Sequence, residues 1–245
     1  MLHIWGNGVR VLAFGLLFMA APIISNAQDE QNPFVKKAME AAKKGNYDAA
    51  IAQWSAALEG SPDDPKLLCG RGSAYEGKGD YGKAVEDFSR AIEARPSFVY
   101  AYFERGVQYE MLDRYEDAIK DLSKAIELKP DYAVAYNELT GIYAACSKPE
   151  FRDAAKALAV GMKACELTQW KNFEFIDTLA QAEASAGNFD DAVKYEEKAI
   201  TMAKSAKVDA DHFEKQLNHY KNHQPYSLSD RVGSVAGSKS GGSAG

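Results

Sequence analysis

Three histidines near the end of the chain, His212, His219 and His223, stand seven and four residues apart. Two imidazoles four apart share a helix face and can hold a metal ion. Here His223 falls in "NHQP", where the helical pattern ends, and the helix offers no clear third ligand. The ligand count therefore favours a solvated face, with metal handling by this helix kept as the alternative. Three cysteines, Cys69, Cys146 and Cys165, are odd in number and match no zinc spacing. An exported chain could form a disulfide from them. They are read as small buried or half-buried residues, with Cys146 and Cys165 near opposite ends of a helical hairpin. No nucleophile elbow, glycine-rich phosphate loop or His-Glu-x-x-His pattern occurs. Asp29, Glu30 and the pairs Asp63–Asp64 and Asp190–Asp191 sit at tails and turns, where they read as helix caps and solvated charge. No catalytic residue, cofactor or metal is assigned, and the expectation is a protein that is not an enzyme.

What must position these residues is a repeat. Pro62, Pro96 and Pro130 are each 34 residues apart. The same step relates Ala50, Ala84 and Ala118, then Ala57, Ala91 and Ala125, then Tyr47, Tyr81 and Tyr115. Trp54, Phe88 and Leu122 form a column of large apolar residues. Gly72 and Gly106 match with Ala38 before them, Tyr75 and Tyr109 with Ala41 before them, and Gly45 and Gly79 with Asp113 after them.

Each column has a physical reason. Ala50, Trp54 and Ala57 share one helix face. Small residues such as Gly72 and Ala84 let two helix backbones approach, and a larger side chain there would overpack by about 1–3 kcal/mol. Tyr75 and Trp54 fill the remaining space. Gly45 and Gly79 suit the left-handed backbone that closes a helix. The prolines stop each second helix, and Asp80 is placed to cap the next. One such hairpin cannot bury its apolar face alone, whereas a stack of them can.

A 34-residue period with these residue types resembles the tetratricopeptide repeat family. The resemblance implies an all-α fold, a right-handed α-α superhelix of helix-turn-helix units with first helices lining a concave side. About five units are expected over 31–207, divided as 31–64, 65–98, 99–132, 133–172 and 173–207. In the fourth, "CSKPEFRDAA" carries two extra residues before Ala154, taken as the counterpart of Ala118, which leaves Ala192 a step of 38 further on. The fifth carries Leu179, Ala180, Gly187, Phe189, Ala192 and Ala199 in their columns. The order of the Cys-containing loop, "ACELT", "WKN" and "DTLA" is similar to a variant found in bacterial repeat proteins. A C-terminal capping helix is expected over 208–226, and a disordered Gly/Ser-rich tail over 227–245.

The family's groove positions map here onto Lys66, Cys69, Ser73 and Glu76 in the second unit. The third contributes Tyr100, Phe103, Glu104, Val107, Glu110 and Met111, and the fourth Val134, Asn137, Glu138 and Gly141. Two aromatics, a Val and a Met beside two Glu form an apolar strip edged with acid. That chemistry suits a protein or peptide ligand of apolar and basic character. Truncating Phe103 and Tyr100 to Ala is expected to abolish capture while leaving the melting point nearly unchanged. One subfamily grips a terminal carboxylate with Lys, Asn and Arg in this groove. Cys69, Ser73, Phe103 and Glu104 do not supply that charge, and Asn137 alone makes no clamp.

Composition bounds the partners. The 245 residues carry a net charge of −6 and 46% apolar residues. Residues 1–27 read as a secretory signal peptide: Arg10, the uncharged run Val11 to Ile24, then "SNA". The run is shorter than the roughly 20 apolar residues of a bilayer span, so cleavage near Ala27 and export are expected, to the periplasm or, without an outer membrane, to the medium. Losing that segment takes the charge to −7. An acidic body argues against nucleic acid and against an anionic membrane surface. The expected function is an exported interaction scaffold in cell-envelope assembly. The alternatives are a metal-handling or enzyme-accessory protein and a self-associating structural protein, including a homo-oligomer.

Overall fold

The computed structural model describes residues 32–225, and every regular element among them is a helix. The segment read as an export signal and the Gly/Ser-rich tail both lie outside the described residues. The chain divides into two compact units at Leu128 and Lys129.

The first unit holds three hairpins. They are α1 (Pro33–Lys43) with α2 (Tyr47–Gly60), α3 (Pro65–Lys78) with α4 (Tyr81–Ala94), and α5 (Val99–Met111) with α6 (Tyr115–Leu128). Each second helix ends two residues before its proline: Gly60 before Pro62, Ala94 before Pro96, Leu128 before Pro130. Starts are written by polar caps. Asp64 Oδ1 accepts from the backbone N–H of Lys66 at 2.8 Å and of Leu67 at 3.2 Å, and Asp80 Oδ1 accepts from Lys83 N–H. Pro33 and Pro65 occupy the first helical turn, where a missing N–H costs nothing. Gly79 closes α3 at φ +84°, and Asp113 holds the equivalent turn after α5 at φ +55°, a conformation that Asp tolerates better than most residues. The Tyr115 hydroxyl donates to Asp113 Oδ1 at 2.9 Å and ties that turn to α6.

The repeat columns form the core. Ala50, Ala84 and Ala118 are completely buried, and so are Phe88 and Leu122, with Trp54 nearly so. A Cβ at Gly72 would lie 3.0 Å from the Phe88 ring, and one at Gly106 would lie 3.0 Å from Leu122 Cγ, so small residue meets large knob inside each hairpin. Trp54 is larger than the other knobs, and the next hairpin makes room for it. A Cβ at Gly70 would come within 2.7 Å of its Cζ2.

The columns hide a polar ladder. Arg71 Nε and Nη2 donate to Asp87 Oδ2 and Oδ1 at 2.8 and 2.7 Å, and Nη1 donates to Ser55 Oγ at 3.2 Å. Thirty-four residues on, Arg105 repeats it with Asp121 at 2.6 and 2.9 Å and Ser89 at 3.0 Å. Each clamp fastens three helices: the second helix of one hairpin and both helices of the next.

The second unit holds α7 (Ala133–Ala145) with α8 (Ala154–Leu167), α9 (Phe173–Ser185) with α10 (Phe189–Ser205), and a last helix α11 (Asp211–Lys221). A 3-10 turn at Pro149–Phe151 precedes α8, which Asp153 caps. This loop corrects the expected register. Ala157, completely buried at the fourth position of α8, is the counterpart of Ala118, whereas Ala154 is half-buried. The insertion is therefore five residues instead of two, and Ala192 follows Ala157 by 35. With that register Gly161 stands in the knob column, opposite Thr140 in the glycine column. A Cβ at Gly161 would meet Thr140 Cγ2 at 2.9 Å, so small and large have exchanged helices. In α10 the same column holds Glu196, which is completely buried.

Candidate functional site: the faces of the first helices

In the first unit, five of the predicted residues, Cys69, Ser73, Glu76, Tyr100 and Glu104, influence one another where side chains of α5 meet α3. The Ser73 and Tyr100 hydroxyls are 3.3 Å apart. Tyr100 packs against the core cluster that contains Cys69. Burial, and then the nearby Glu104 carboxylate, push the Tyr100 hydroxyl well above its ordinary range. The same two causes push up the Cys69 thiol. Glu76 also contributes negative potential at Tyr100. An aromatic hydroxyl thus sits in the negative potential of two acids at the contact between two hairpins.

The exposure expected of the groove face is corrected at four positions: Glu76, Phe103, Glu104 and Val107 are buried, with Phe103 only 6% exposed, while the burial of Cys69 agrees with its reading as a small buried residue. The mapping treats one repeat at a time. The contact of Tyr100 with Ser73 and the Cys69 cluster is made between hairpins, and a single-repeat pattern does not carry it. Ser73, Tyr100, Glu110, Lys66 and Met111 are half-buried.

Asn137 and Glu138 belong to the second unit and are half-buried. Val134 packs against the cluster around Ala164, Cys165 and Phe175, which makes it a core contact. Two acids join Glu138 there that the groove mapping omits. The Glu174 carboxyl is raised, by partial burial first and then by Asp177 and Glu138. Asp177 is the fifth residue of α9, as Cys69, Phe103 and Asn137 are of their helices, so position within the helix could have found it. Its Oδ1 accepts from Gln216 Nε2 of α11 at 2.7 Å.

The remaining candidates stand apart. Cys69, Cys146 and Cys165 are buried and not joined by a disulfide. His223 stacks on Phe189, ring centroids 5.3 Å apart, while His212 and His219 are half-buried on α11. Among the described residues no group of three or more His, Cys, Asp or Glu side chains is arranged to hold a metal ion. No described helix is long and apolar enough to cross a membrane.

Stacked helical hairpins with acid-bearing first-helix faces define a helical-repeat protein of the scaffold class. Residues 35–97 and 69–133 match the tetratricopeptide repeat model. Over residues 35–133 the chain is made of tetratricopeptide repeats. It is similar to the crystal structure of MamA, with 27% identity over 70% of this chain and 97% of that one, at a TM-score of 0.59. TTC0263, a thermophilic tetratricopeptide repeat protein of Thermus thermophilus, shares 24% identity over 79% of this chain and 98% of that one, TM-score 0.59. YrrB, described as having an unusual peptide-binding site, shares 20% over 75% and 91%, TM-score 0.55. The latter two likenesses speak to the fold alone. No curated protein matches the chain.

Proposed function

We propose that the chain is an exported scaffold that binds a peptide or protein segment of apolar and basic character along its first-helix faces, in assembly of the cell envelope. The observation that supports the ligand chemistry is the setting of Tyr100, half-buried beside Ser73 and in the negative potential of Glu104 and Glu76. A half-buried aromatic edge in negative potential favours a cationic side chain over an anionic one. Glu138, Glu174 and Asp177 give the second unit an acidic face of its own. Export rests on the apolar run Val11 to Ile24 and the "SNA" that follows. Tetratricopeptide repeats are generally non-catalytic scaffolds, and no enzymatic step is proposed.

The test is titration of the full chain against labelled peptides with Leu and Phe interleaved with Lys, and against the same peptides with Glu in place of Lys. The Lys series binds and weakens with added salt, and Glu104→Gln with Glu110→Gln lowers its affinity. Equal binding of the two series would overturn the ligand chemistry.

A further inference from the structure

Helix α1 is a cationic element in an acidic chain. Lys36, Lys37 and Lys43, with the cap residue Lys44, stand against Glu40 alone, a balance of +3 in a chain of net −6. The four lysines and Glu40 are exposed and recur at three- and four-residue steps, so they share the face opposite the buried Val35 and Ala38. Phe34 flanks that face at 41% exposure, and among the described residues Leu112 is the one other large apolar side chain so open. Asp29 and Glu30 precede the helix and lie outside the described residues.

Folding does not account for these charges. Lys37 belongs to the column of Arg71 and Arg105, one 34-residue step earlier. Each of those arginines is neutralised by a buried aspartate of its own hairpin, Asp87 or Asp121. In the first hairpin Gln53 takes the aspartate's place, and Lys37 forms no ion pair among the described residues. The helix dipole favours Lys43 and Lys44 at the C-terminal end of α1 but opposes Lys36 and Lys37 near its N-terminal end. A terminal hairpin needs a polar outer face, and acids at positions 36 and 37 would meet that need while suiting the dipole.

We infer that this face of α1 docks the chain on an anionic lipid surface. Charge complementarity selects an anionic partner, and Phe34 and the place of the helix in the chain select lipid. A lysine-rich amphipathic face with an aromatic at its edge lies in the headgroup layer, its lysines at the phosphates and its ring at the acyl boundary. Eight residues separate Pro33 from Ile24, where the apolar run ends, so α1 is the first described element beyond a membrane-compatible segment. The net acidity of the chain does not oppose such docking, because at physiological salt a charged surface senses charges within about 8 Å. The face shares no residue with the Tyr100 site, so it stands or falls apart from the peptide reading.

Sedimentation of the full chain with vesicles tests it. Phosphatidylcholine mixed with phosphatidylglycerol should bind the chain more tightly than phosphatidylcholine alone, and added salt should erase the difference. The run Val11 to Ile24 is uncharged and common to all samples, so the comparison reads the lysines. Each lysine near the surface is worth about fivefold, so Lys36→Gln with Lys37→Gln should lose about 25-fold of the preference, as should Lys43→Gln with Lys44→Gln. Lys194→Gln with Lys198→Gln, the same charge change on α10, should leave it unchanged. Equal binding to both vesicles, or equal loss in the α10 variant, overturns the inference. So does capture of an oligoglutamate peptide through these lysines by a chain that ignores both vesicles. All six lysines are exposed, so circular dichroism of the variants should match the wild type. Should a variant fail to fold, the salt response of the wild type still decides: a preference that persists in high salt overturns the inference.

Discussion

Arg71 grips Asp87 with two parallel hydrogen bonds of 2.8 and 2.7 Å, and Arg105 does the same to Asp121 one repeat later. Asp87 and Asp121 are buried, so each carboxylate depends on its arginine. Removing one partner of such a pair leaves an uncompensated charge in the core. Arg71→Ala is expected to destabilise the chain by about 3 kcal/mol. Arg71→Ala with Asp87→Ala should cost less than the sum of the single changes. Urea unfolding of the four species in a double-mutant cycle measures the coupling.

Gly70 and Trp54 form a matched pair across two hairpins. Gly70→Ala drives a methyl into the Trp54 ring, for which about 1–3 kcal/mol of destabilisation is expected. Trp54→Phe copies the knob of the following unit and should recover part of that loss in the Gly70→Ala background. If the double variant is no more stable than Gly70→Ala alone, the collision lies elsewhere.

Phe103 is buried, so truncating it does not leave stability untouched. Phe103→Ala should cost about 3–5 kcal/mol. This replaces the expectation of nearly unchanged melting and makes that variant unsuited to a binding test. Tyr100→Phe is milder: it removes the hydroxyl contact with Ser73 and keeps the ring. Thermal melts of both variants, beside peptide titrations of Tyr100→Phe, separate packing from recognition.

The thiols should be inert in the folded chain. Burial pushes the Cys69 thiol well up and the Cys165 thiol up to about 12, and the thiolate is the reactive form. At pH 8 both remain protonated, and iodoacetamide should modify them slowly until urea is added. Mass spectrometry of the labelled chain counts the adducts. Rapid native labelling of Cys69 would contradict its place in the core.

Much of this fold is legible in the sequence because each hairpin repeats a local demand: a stop at proline, an alanine where helices touch, one large knob. Arg71, Asp87 and Ser55 recur at the same 34-residue step as Arg105, Asp121 and Ser89, yet a reading that follows apolar and small residues passes over them. Ala157 escapes for another reason. The 3-10 turn absorbs chain length without changing the helix pairing, so counting residues misplaces the column. The buried state of Cys69 and Glu104 involves contacts such as that of Tyr100 with Ser73, made by side chains from two hairpins at once. Glu196 fits no apolar rule, and the column of Trp54, Phe88 and Leu122 gives no sign that an acid is buried at its last position.

The exchange between Thr140 and Gly161 has an evolutionary implication. Once bulk has moved from one helix to its mate, neither can be inherited apart from the other. A chimera that kept Thr140 on α7 but borrowed its second helix from the Phe88 hairpin would set a benzyl ring against a branched side chain where only hydrogen now fits. Thr140 and Gly161 have thereby become a private couple, and an exchange of modules that parts them is penalised.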